Sequence, residues 1–223
     1  MELAVVSDLH GNRVALDAVR EDMPTVDRVV CAGDVVGYNP WPAACVAWAR
    51  EEAVPTVMGN HDRAVASGTG FRFNSMAAAG VEYARDALDE AALDWLADLP
   101  DRRTVDGRVR IVHGHPDDVD HYTYPAEFGP ELLAAADGPA LLVMGHTHVQ
   151  HHEQYDEGTV LNPGSVGQPR DGDPRAAYAV VDLDASPPAV EERRVAYDVD
   201  RVVEAVEAAD LPRAIGERLR KGK

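Results

Sequence analysis

The chain has 223 residues, of which 45% are hydrophobic, and its 39 acidic and 21 basic side chains give a formal charge of −18. This length suits one larger α/β domain or two small ones, and we expect a single domain. No apolar run reaches the roughly 18 to 20 residues of a membrane span, and the acidity argues against a surface for long nucleic acid, which is normally basic.

The first half of the chain alternates short apolar strands with helices, the rhythm of an α/β sheet. We predict strands at 2–7, 28–33 and 54–59, with helices at about 12–21 and 42–52 between them. Residues 75–98 then have a helical apolar pattern that ends before Pro100.

The second half is richer in closely spaced strands. A strand at 108–115, a shorter helix near 126–136 and a strand at 140–146 are predicted first. Four strands separated by Gly, Pro and Asp turns follow, in "VQHHEQY", "GTVLNPG", "AAYAVVDL" and "AVEERRVAY". We expect residues 1–197 to form the domain and residues 198–223 to be a helical appendage of that same domain.

Polar motifs follow most of these strands: "SDLHGN", "AGDVVG", "GNHD", "HGH" and "GHTH". Taken alone, each is more readily a turn or a structural histidine than a site. Five in succession favour a shared site, because ligands of open α/β sheets bind beyond the carboxyl ends of the strands. The side chains expected to converge are Asp8, His10, Asp34, Asn60, His61, His113, His146 and His148.

Carboxylate, imidazole and amide donors without thiolate suit Mn, Fe, Zn or Ni in a mixed nitrogen and oxygen site. Asp8 and His10 stand two residues apart, so in strand geometry they project to one side and can hold one ion. His146 and His148 repeat the spacing, whereas we expect His151 and His152 to lie outside the site. If two ions bind, the two carboxylate oxygens of Asp34 make it the natural bridge.

In this order, the five motifs resemble those of the calcineurin-like metallophosphoesterase superfamily. "GDVVGYNP", "VMGNHDRAV" and "LNPGSVGQPRD" are similar to its compact, single-domain bacterial and archaeal phosphodiesterase branch, so the resemblance spans residues 2–184. It implies an α/β fold in which two mixed β-sheets pack as a sandwich flanked by helices. It also implies a binuclear phosphoesterase, foremost a phosphodiesterase, in which a metal-bridging hydroxide attacks a small phosphoester.

The resemblance further implies roles for single residues. Two divalent ions are expected, manganese foremost, with iron, nickel or zinc as alternatives. One ion would be held by Asp8, His10, Asp34 and His148, and the other by Asp34, Asn60, His113 and His146. His61 would be the general acid or the transition-state stabiliser, and Asp62 would either orient its ring or fix the turn.

Substrate contacts are predicted at Asn12, Arg63 and His115, although Asn12 could instead cap a helix and the other two could face solvent. Arg13 and Arg170 are further candidates for phosphate binding, with surface arginine as the alternative. Specificity is expected to lie in segments 37–42, 64–75 and 116–130.

Other functions remain open at this point. Within the same fold, diadenosine tetraphosphatase-like or protein phosphatase activity is the alternative, and a non-catalytic metal-binding scaffold is the alternative of another class. We expect a small phosphoester as partner, no long nucleic acid, no membrane, and a monomer or homodimer.

The charge balance and the N-terminus predict an environment. Only two basic residues are lysines, Lys221 and Lys223. An acid-rich, lysine-poor chain suits molar salt, where the Debye length falls to about 3 Å, so we predict a halophilic source, with an ordinary acidic protein as the alternative. The first residues resemble no secretory signal, so a cytoplasmic location is predicted.

Overall fold

A computed structural model describes residues 1–68 and 73–223 of the chain. The strands of these residues are β1 (Glu2–Val6), β2 (Arg28–Cys31), β3 (Arg102–Val105), β4 (Val109–Val112), β5 (Leu141–Val143), β6 (His151–Tyr155), β7 (Gly158–Asn162), β8 (Ala176–Asp182) and β9 (Ala189–Val195). The α-helices are α1 (Arg13–Asp22), α2 (Pro42–Glu51), α3 (Asn60–Ser67), α4 (Ser75–Ala87), α5 (Glu90–Ala97), α6 (Pro130–Ala135), α7 (Val199–Ala208) and α8 (Arg213–Leu219).

The strands form two mixed sheets, which confirms the predicted fold class. The first sheet has the order β2-β1-β8-β9, and β1 pairs parallel with β2 and antiparallel with β8. The second has the order β3-β4-β5-β7-β6, in which β4, β5 and β7 are parallel and both edge strands are antiparallel. The parallel strands of each sheet therefore end at one edge, where the polar motifs follow.

The sheets pack face to face because their strands alternate side chains between two apolar layers. In β8, Ala179 and Val181 lie in the core between the sheets, together with Ile111 and Leu161 of the second sheet. Tyr178 points the other way, into the layer under α1 and α2. Each fully buried aliphatic side chain contributes roughly 1.5–3 kcal/mol, so this double layer fixes the strand register.

Three predicted elements differ in the structure, and two further elements were not predicted. Residues 54–59 form no named strand, and only Thr56 makes an isolated bridge, to Cys31. Pro55 explains the difference, because it lacks the N–H that a strand interior needs. The 75–98 helix divides into α4 and α5, since the Asp89 side chain accepts from Ala92 N (2.8 Å) and starts a new helix. The helix near 126–136 is a 3₁₀ turn followed by α6, and α3 and β3 were not predicted.

The C-terminal helices α7 and α8 pack against the body of the protein. Val206, Ile215 and Leu219 are buried with Tyr38 and with Ala77 of α4. Residues 198–223 thus cover the loop after β2, which bears Asp34. Among the described residues, no helix has both the length and the apolarity needed to cross a bilayer.

Asn12 links the first helix to a distant loop. Its side-chain oxygen accepts from Ala15 N (3.1 Å) and caps α1, and its amide donates to Gly167 O (3.0 Å) in a fully buried setting. Both polar groups of the side chain are therefore engaged within the protein, which is the capping alternative considered for this residue.

We expect Asn12→Ala to lower the free energy of unfolding by about 2 kcal/mol, because it removes a cap and leaves a buried carbonyl unpaired. Asn74→Ala is the matched control, since Asn74 is exposed and, among the described residues, its side chain makes only the equivalent cap to Ala77 N (3.0 Å). Its cost should be about 1 kcal/mol. Urea unfolding of the metal-free proteins measures both, and equal costs would contradict the linking role of Asn12.

Candidate metal centre

Loops at one edge of the sandwich bring seven predicted ligands together. Asp8 and His10 follow β1, Asp34 follows β2, and the remaining four come from the start of α3 and from the ends of β4 and β5. The cluster, called the candidate metal centre below, comprises Asp8, His10, Asp34, Asn60, His113, His146 and His148. All are buried except the half-buried Asn60. Donor atoms within 4.8 Å of one another occur in Asp8–His10–His148 and in Asp34–His113–His146.

The backbone at this edge adopts left-handed conformations. The φ angles of Asp8, His10 and Asp34 are 52°, 47° and 53°, and those of His146 and His148 are 68° and 60°. Positive φ costs non-glycine residues on the order of 1 kcal/mol or more each, and such strain gathers at functional sites. Hydrogen bonds between the loops stabilise these backbone conformations; for example, His10 N donates to Asp34 O (2.9 Å).

His10 and His148 present unprotonated nitrogens to each other. Nδ1 of His10 lies 3.2 Å from Val36 O, and Nδ1 of His148 lies 2.6 Å from Gln168 O. A carbonyl oxygen only accepts hydrogen bonds, so in each neutral ring Nδ1 carries the proton and Nε2 carries a lone pair. The two Nε2 atoms are 3.0 Å apart. Two facing lone pairs repel, and a cation between them removes the repulsion.

The second group repeats this logic. Nδ1 of His113 lies 2.7 Å from Ala32 O, so its Nε2 faces Asp34 Oδ2 (3.4 Å) and Asn60 Oδ1 (3.3 Å). Nε2 of His146 lies 3.2 Å from Asp120 O, which leaves Nδ1 as its free ring nitrogen. These donors fit a divalent ion, since ligating histidines usually donate their other N–H to a carbonyl or carboxylate.

Asp34 lies between the two groups. Its Oδ2 is 3.6 Å from His10 Nε2 and 3.4 Å from His113 Nε2, whereas its Oδ1 accepts from His61 N (2.8 Å). Gly59 permits this approach, because a Cβ there would lie 2.0 Å from Asp34 Oδ1. One carboxylate oxygen is thus shared between the two histidine groups.

The buried charges favour metal binding. Burial opposes ionisation of Asp34, yet the neighbouring imidazoles, His113 foremost, hold the pKa of its carboxyl well below its usual range. Burial lowers the pKa of His10 well below its usual value and that of His146 to about 3. A deprotonated carboxylate and neutral imidazoles are the forms that bind a metal. Burial also disfavours charge on His113, but Asp34 outweighs it and raises the pKa to about 10, so a proton competes with a cation there.

His61 lies beside the centre at the start of α3. Its ring packs between Tyr38 and Phe73, with centroids at 4.7 and 4.6 Å. Nδ1 is buried without a hydrogen-bond partner among the described residues and faces Gly37. Burial lowers the pKa of His61 to about 4, although Asp34 opposes the shift. The imidazole is therefore neutral at pH 7.

Asp62 does not orient His61. Its Oδ2 accepts from Asp34 N (2.8 Å) and Gly59 N (3.0 Å), and its Oδ1 accepts from Val36 N (3.2 Å). These contacts support the alternative in which Asp62 fixes the turn, and a catalytic role for Asp62 stays a prediction. The carboxylate fixes the loop after β2 against the start of α3, because three backbone donors occupy it.

The other predicted contacts lie around the centre. Arg63 pairs with Asp120 (3.0 Å), whose carbonyl contacts His146, so it supports that loop. His115 accepts from Asp117 N (3.1 Å) and packs edge-on against His121. The structure shows no direct contact of Arg63 or His115 with the described ligands. Arg13 pairs with Asp17 on the surface of α1.

His151 and His152 are held away from the centre. Nε2 of His151 lies 3.1 Å from Glu153 Oε1, and Nδ1 of His152 lies 2.7 Å from Glu192 Oε1. Of the predicted specificity segment 64–75, residues 69–72 lie outside the described residues.

Three side chains at the centre were not among the predicted site residues. Tyr38 packs on His10 at 4.9 Å, and Tyr122 packs on His146 at 3.7 Å. Phe73 stacks on His61. All three lie within the predicted specificity segments, which is the signal that could have found them. Arg170, left open from the sequence, donates from Nη2 to Tyr38 Oη (3.2 Å) and Gln168 Oε1 (2.6 Å).

Comparison with known proteins gives consistent matches. A family model described as "Calcineurin-like phosphoesterase superfamily domain" matches residues 1–186. "Uncharacterized protein MJ0912" from Methanocaldococcus jannaschii is 30% identical and aligns over 99% of this chain and 98% of its own. Phosphodiesterase YfcE from Escherichia coli is 29% identical over 82% of this chain and 89% of its own.

Two solved structures share the fold over the whole chain. A metallophosphoesterase from Sphaerobacter thermophilus is 34% identical with a TM-score of 0.88, covering 100% of this chain and 99% of its own. The hypothetical protein PH1004 from Pyrococcus horikoshii is 21% identical with a TM-score of 0.86, over 100% and 98% of the two chains. The second match shows the fold alone.

We expect Asp34→Asn to remove both ions together, because the shared Oδ2 loses its charge while the side chain keeps its size. Metal analysis of the purified variant, after loading with Mn²⁺ and dialysis, measures the content per chain. Asp137→Asn is the control, since Asp137 pairs with Arg110 on the surface. Retention of the wild-type metal content by Asp34→Asn would refute a shared ligand.

Proposed function

The chain belongs to the calcineurin-like phosphoesterase superfamily, as its motifs predicted, and we propose that it is a metal-dependent phosphodiesterase acting on a small phosphoester. One observation carries this proposal. The Nε2 lone pairs of His10 and His148 face each other at 3.0 Å, and the buried Asp34 Oδ2 lies 3.6 Å from His10 Nε2 and 3.4 Å from His113 Nε2, an arrangement that a cation stabilises.

We assign the ligands as the resemblance implied. Asp8, His10, Asp34 and His148 would hold one ion, and Asp34, Asn60, His113 and His146 the other. When bound, two divalent ions supply Lewis acidity that activates water and neutralises phosphoryl oxygens. The support for the shared ligand is the position of Asp34 Oδ2 between His10 and His113.

His61 acts as a hydrogen-bond donor to the reacting phosphoester in this proposal. Nδ1 faces Gly37 without an acceptor among the described residues, so the neutral ring carries its proton on Nε2. With a pKa of about 4, lowered by burial, the ring holds that proton at neutral pH without being charged. This favours the stabiliser role over full proton donation.

Arg170 supplies positive charge for the phosphate. Its guanidinium donates to the neutral Tyr38 Oη (3.2 Å) and Gln168 Oε1 (2.6 Å), and it forms no ion pair with a carboxylate of the described residues. Burial lowers the pKa of the Arg218 guanidinium in α8, and the positive charge of Arg170 lowers it further. A guanidinium group at Arg170, whose backbone N donates to His148 O (3.2 Å), suits an anionic substrate in an otherwise acidic protein.

Manganese as the resident metal, a cytoplasmic location, a monomer or homodimer, and a saline source stay predictions. The formal charge of −18 with only two lysines supports the last of them. The same charge motivates assays at high KCl, where the repulsion between surface carboxylates is screened.

The activity is tested by removing metal and adding back Mn²⁺, Ni²⁺, Zn²⁺, Fe²⁺ or Mg²⁺ in high KCl. We expect no turnover without metal, and with Mn²⁺ a faster hydrolysis of bis-p-nitrophenyl phosphate than of p-nitrophenyl phosphate. Faster turnover of the monoester would refute the diesterase assignment. Full metal binding with no hydrolysis of either ester would favour a scaffold.

His61→Ala should lower kcat by about 10²- to 10³-fold, because the hydrogen bond to the reacting group is lost. Its metal content should equal that of the wild type, since the ligand sets do not include His61. His152→Ala is the control, as His152 pairs with Glu192 away from the centre. Wild-type kcat in His61→Ala would show that this imidazole takes no part in turnover.

A further inference from the structure

Two tyrosines stand out on the described surface. Tyr122 and Tyr124 are its exposed large hydrophobic side chains, with 42% and 49% of their surface accessible. Their rings are nearly parallel, at an angle of 17° with centroids 6.3 Å apart. Exposed aromatic rings stacked on one another, close to a site, are typical of surfaces that bind planar ligands.

The tyrosine pair begins at the candidate metal centre. The Tyr122 ring stacks on the His146 ring at 3.7 Å and 24°, and Tyr124 continues this stack outward. Arg170 also lies near the centre, since its backbone N donates to His148 O (3.2 Å), and its positive charge offsets part of the rise that burial causes in the pKa of the Tyr122 phenol. The aromatic rings are therefore continuous with both a ligand and the proposed phosphate-binding guanidinium.

The backbone holds the two rings on one side of the segment. Thr123 between them is buried, and Tyr124 has extended angles of φ −80° and ψ 161°. In an extended chain alternate side chains share a side, so burial of Thr123 turns both tyrosines outward. Glu127 fixes the segment by accepting from Tyr124 N and from His121 Nε2, each at 2.9 Å. The rings are thus presented in place before a ligand arrives.

We propose that Tyr122 and Tyr124 form a subsite for a planar aromatic substituent of the phosphodiester, an aryl group or a nucleobase, stacked beside the phosphate at the metal centre. This inference rests on the proposed function, because the phosphate must lie at that centre for the substituent to reach the rings. It assigns substrate selection to segment 116–130, where the sequence had placed specificity without naming a group.

Binding of matched phosphate monoesters to the Mn²⁺-loaded protein tests the subsite. One pair is phenyl phosphate and cyclohexyl phosphate, which differ in aromaticity at similar size. The other is adenosine 5′-monophosphate and ribose 5-phosphate, which differ by the base. Calorimetry measures the dissociation constants, with release of inorganic phosphate monitored in parallel, and we expect each aromatic member to bind about tenfold more tightly.

Variants locate the effect. Tyr124→Leu keeps an apolar side chain but removes the ring. It should bring the ratio of the two dissociation constants within each pair close to one. Tyr124→Phe should keep the ratio. Tyr155→Leu is the control, because Tyr155 lies at the far end of β6 beside Glu153. Comparing two ligands on one protein cancels any change in metal content.

The outcomes separate the two proposals. Equal binding within both pairs by the wild type, or a ratio unchanged in both Tyr124→Leu and Tyr122→Leu, would overturn the aromatic subsite. If adenosine 5′-monophosphate binds more tightly than ribose 5-phosphate while phenyl and cyclohexyl phosphate bind equally, the aromatic subsite is supported with a nucleobase as its occupant. If Tyr124→Leu alters self-association by sedimentation and leaves the ratios unchanged, the rings are a contact between copies and the inference fails. Absence of metal-dependent hydrolysis would instead defeat the proposed function.

Discussion

Hydrogen bonds from histidine Nδ1 atoms to backbone carbonyls are the constraint on which the site depends. Val36, Ala32 and Gln168 accept from His10, His113 and His148, respectively. Because a carbonyl cannot donate, these bonds fix the tautomer of each ring and turn its Nε2 lone pair inward. The result is a buried space lined by imidazole nitrogens and carboxylate oxygens, which are ligands that suit a divalent cation. The backbone of the sandwich thereby selects a cation.

A second constraint keeps these carbonyls in position. The Asp62 carboxylate gathers backbone N–H groups of Asp34, Val36 and Gly59. The Asp62 carboxylate thus joins the loop after β2 to the first turn of α3. This also fixes the position of Val36, whose carbonyl accepts from His10. Left-handed angles at the ligands, from 47° to 68°, are tolerated because the loops also bond to one another. The buried Asp62 carboxylate and the hydrogen bonds between the loops therefore keep the ligands in position despite the local backbone strain.

The surroundings of the centre differ in character from the rest of the surface. The chain as a whole is strongly acidic, yet Arg170 stands near the centre together with the rings of Tyr38 and Tyr122. Burial lowers the guanidinium pKa of Arg218, and the charge of Arg170 lowers it further. Cationic and aromatic groups beside a cation-selecting cavity suit an anion that carries a flat substituent. The C-terminal helices contribute to this setting, because α8 carries Arg218 and its apolar side packs over Tyr38.

The sequence by itself predicted an α/β class and the convergence of the ligands, and its resemblance to a known family implied the two packed sheets. Apolar strands ending in polar motifs carry this information locally, since parallel strands of one sheet end at one edge. It also left Asn12 and Asp62 each with two readings, because a side chain can contact either backbone or ligand until its neighbours are known. Only the tertiary structure decided these, through Gly167 for Asn12 and through three N–H donors for Asp62.

The tertiary structure also decided which side chains surround the candidate metal centre. Tyr38 meets Arg170 across 132 positions of sequence, and no local pattern encodes such a contact, because it follows from how loops cross after the sheets pack. The same holds for residues 54–59, where apolar composition suggested a strand but Pro55 removed a donor. Periodicity and strand-end chemistry are local properties of the chain, whereas loop contacts and tautomers are set by the completed fold.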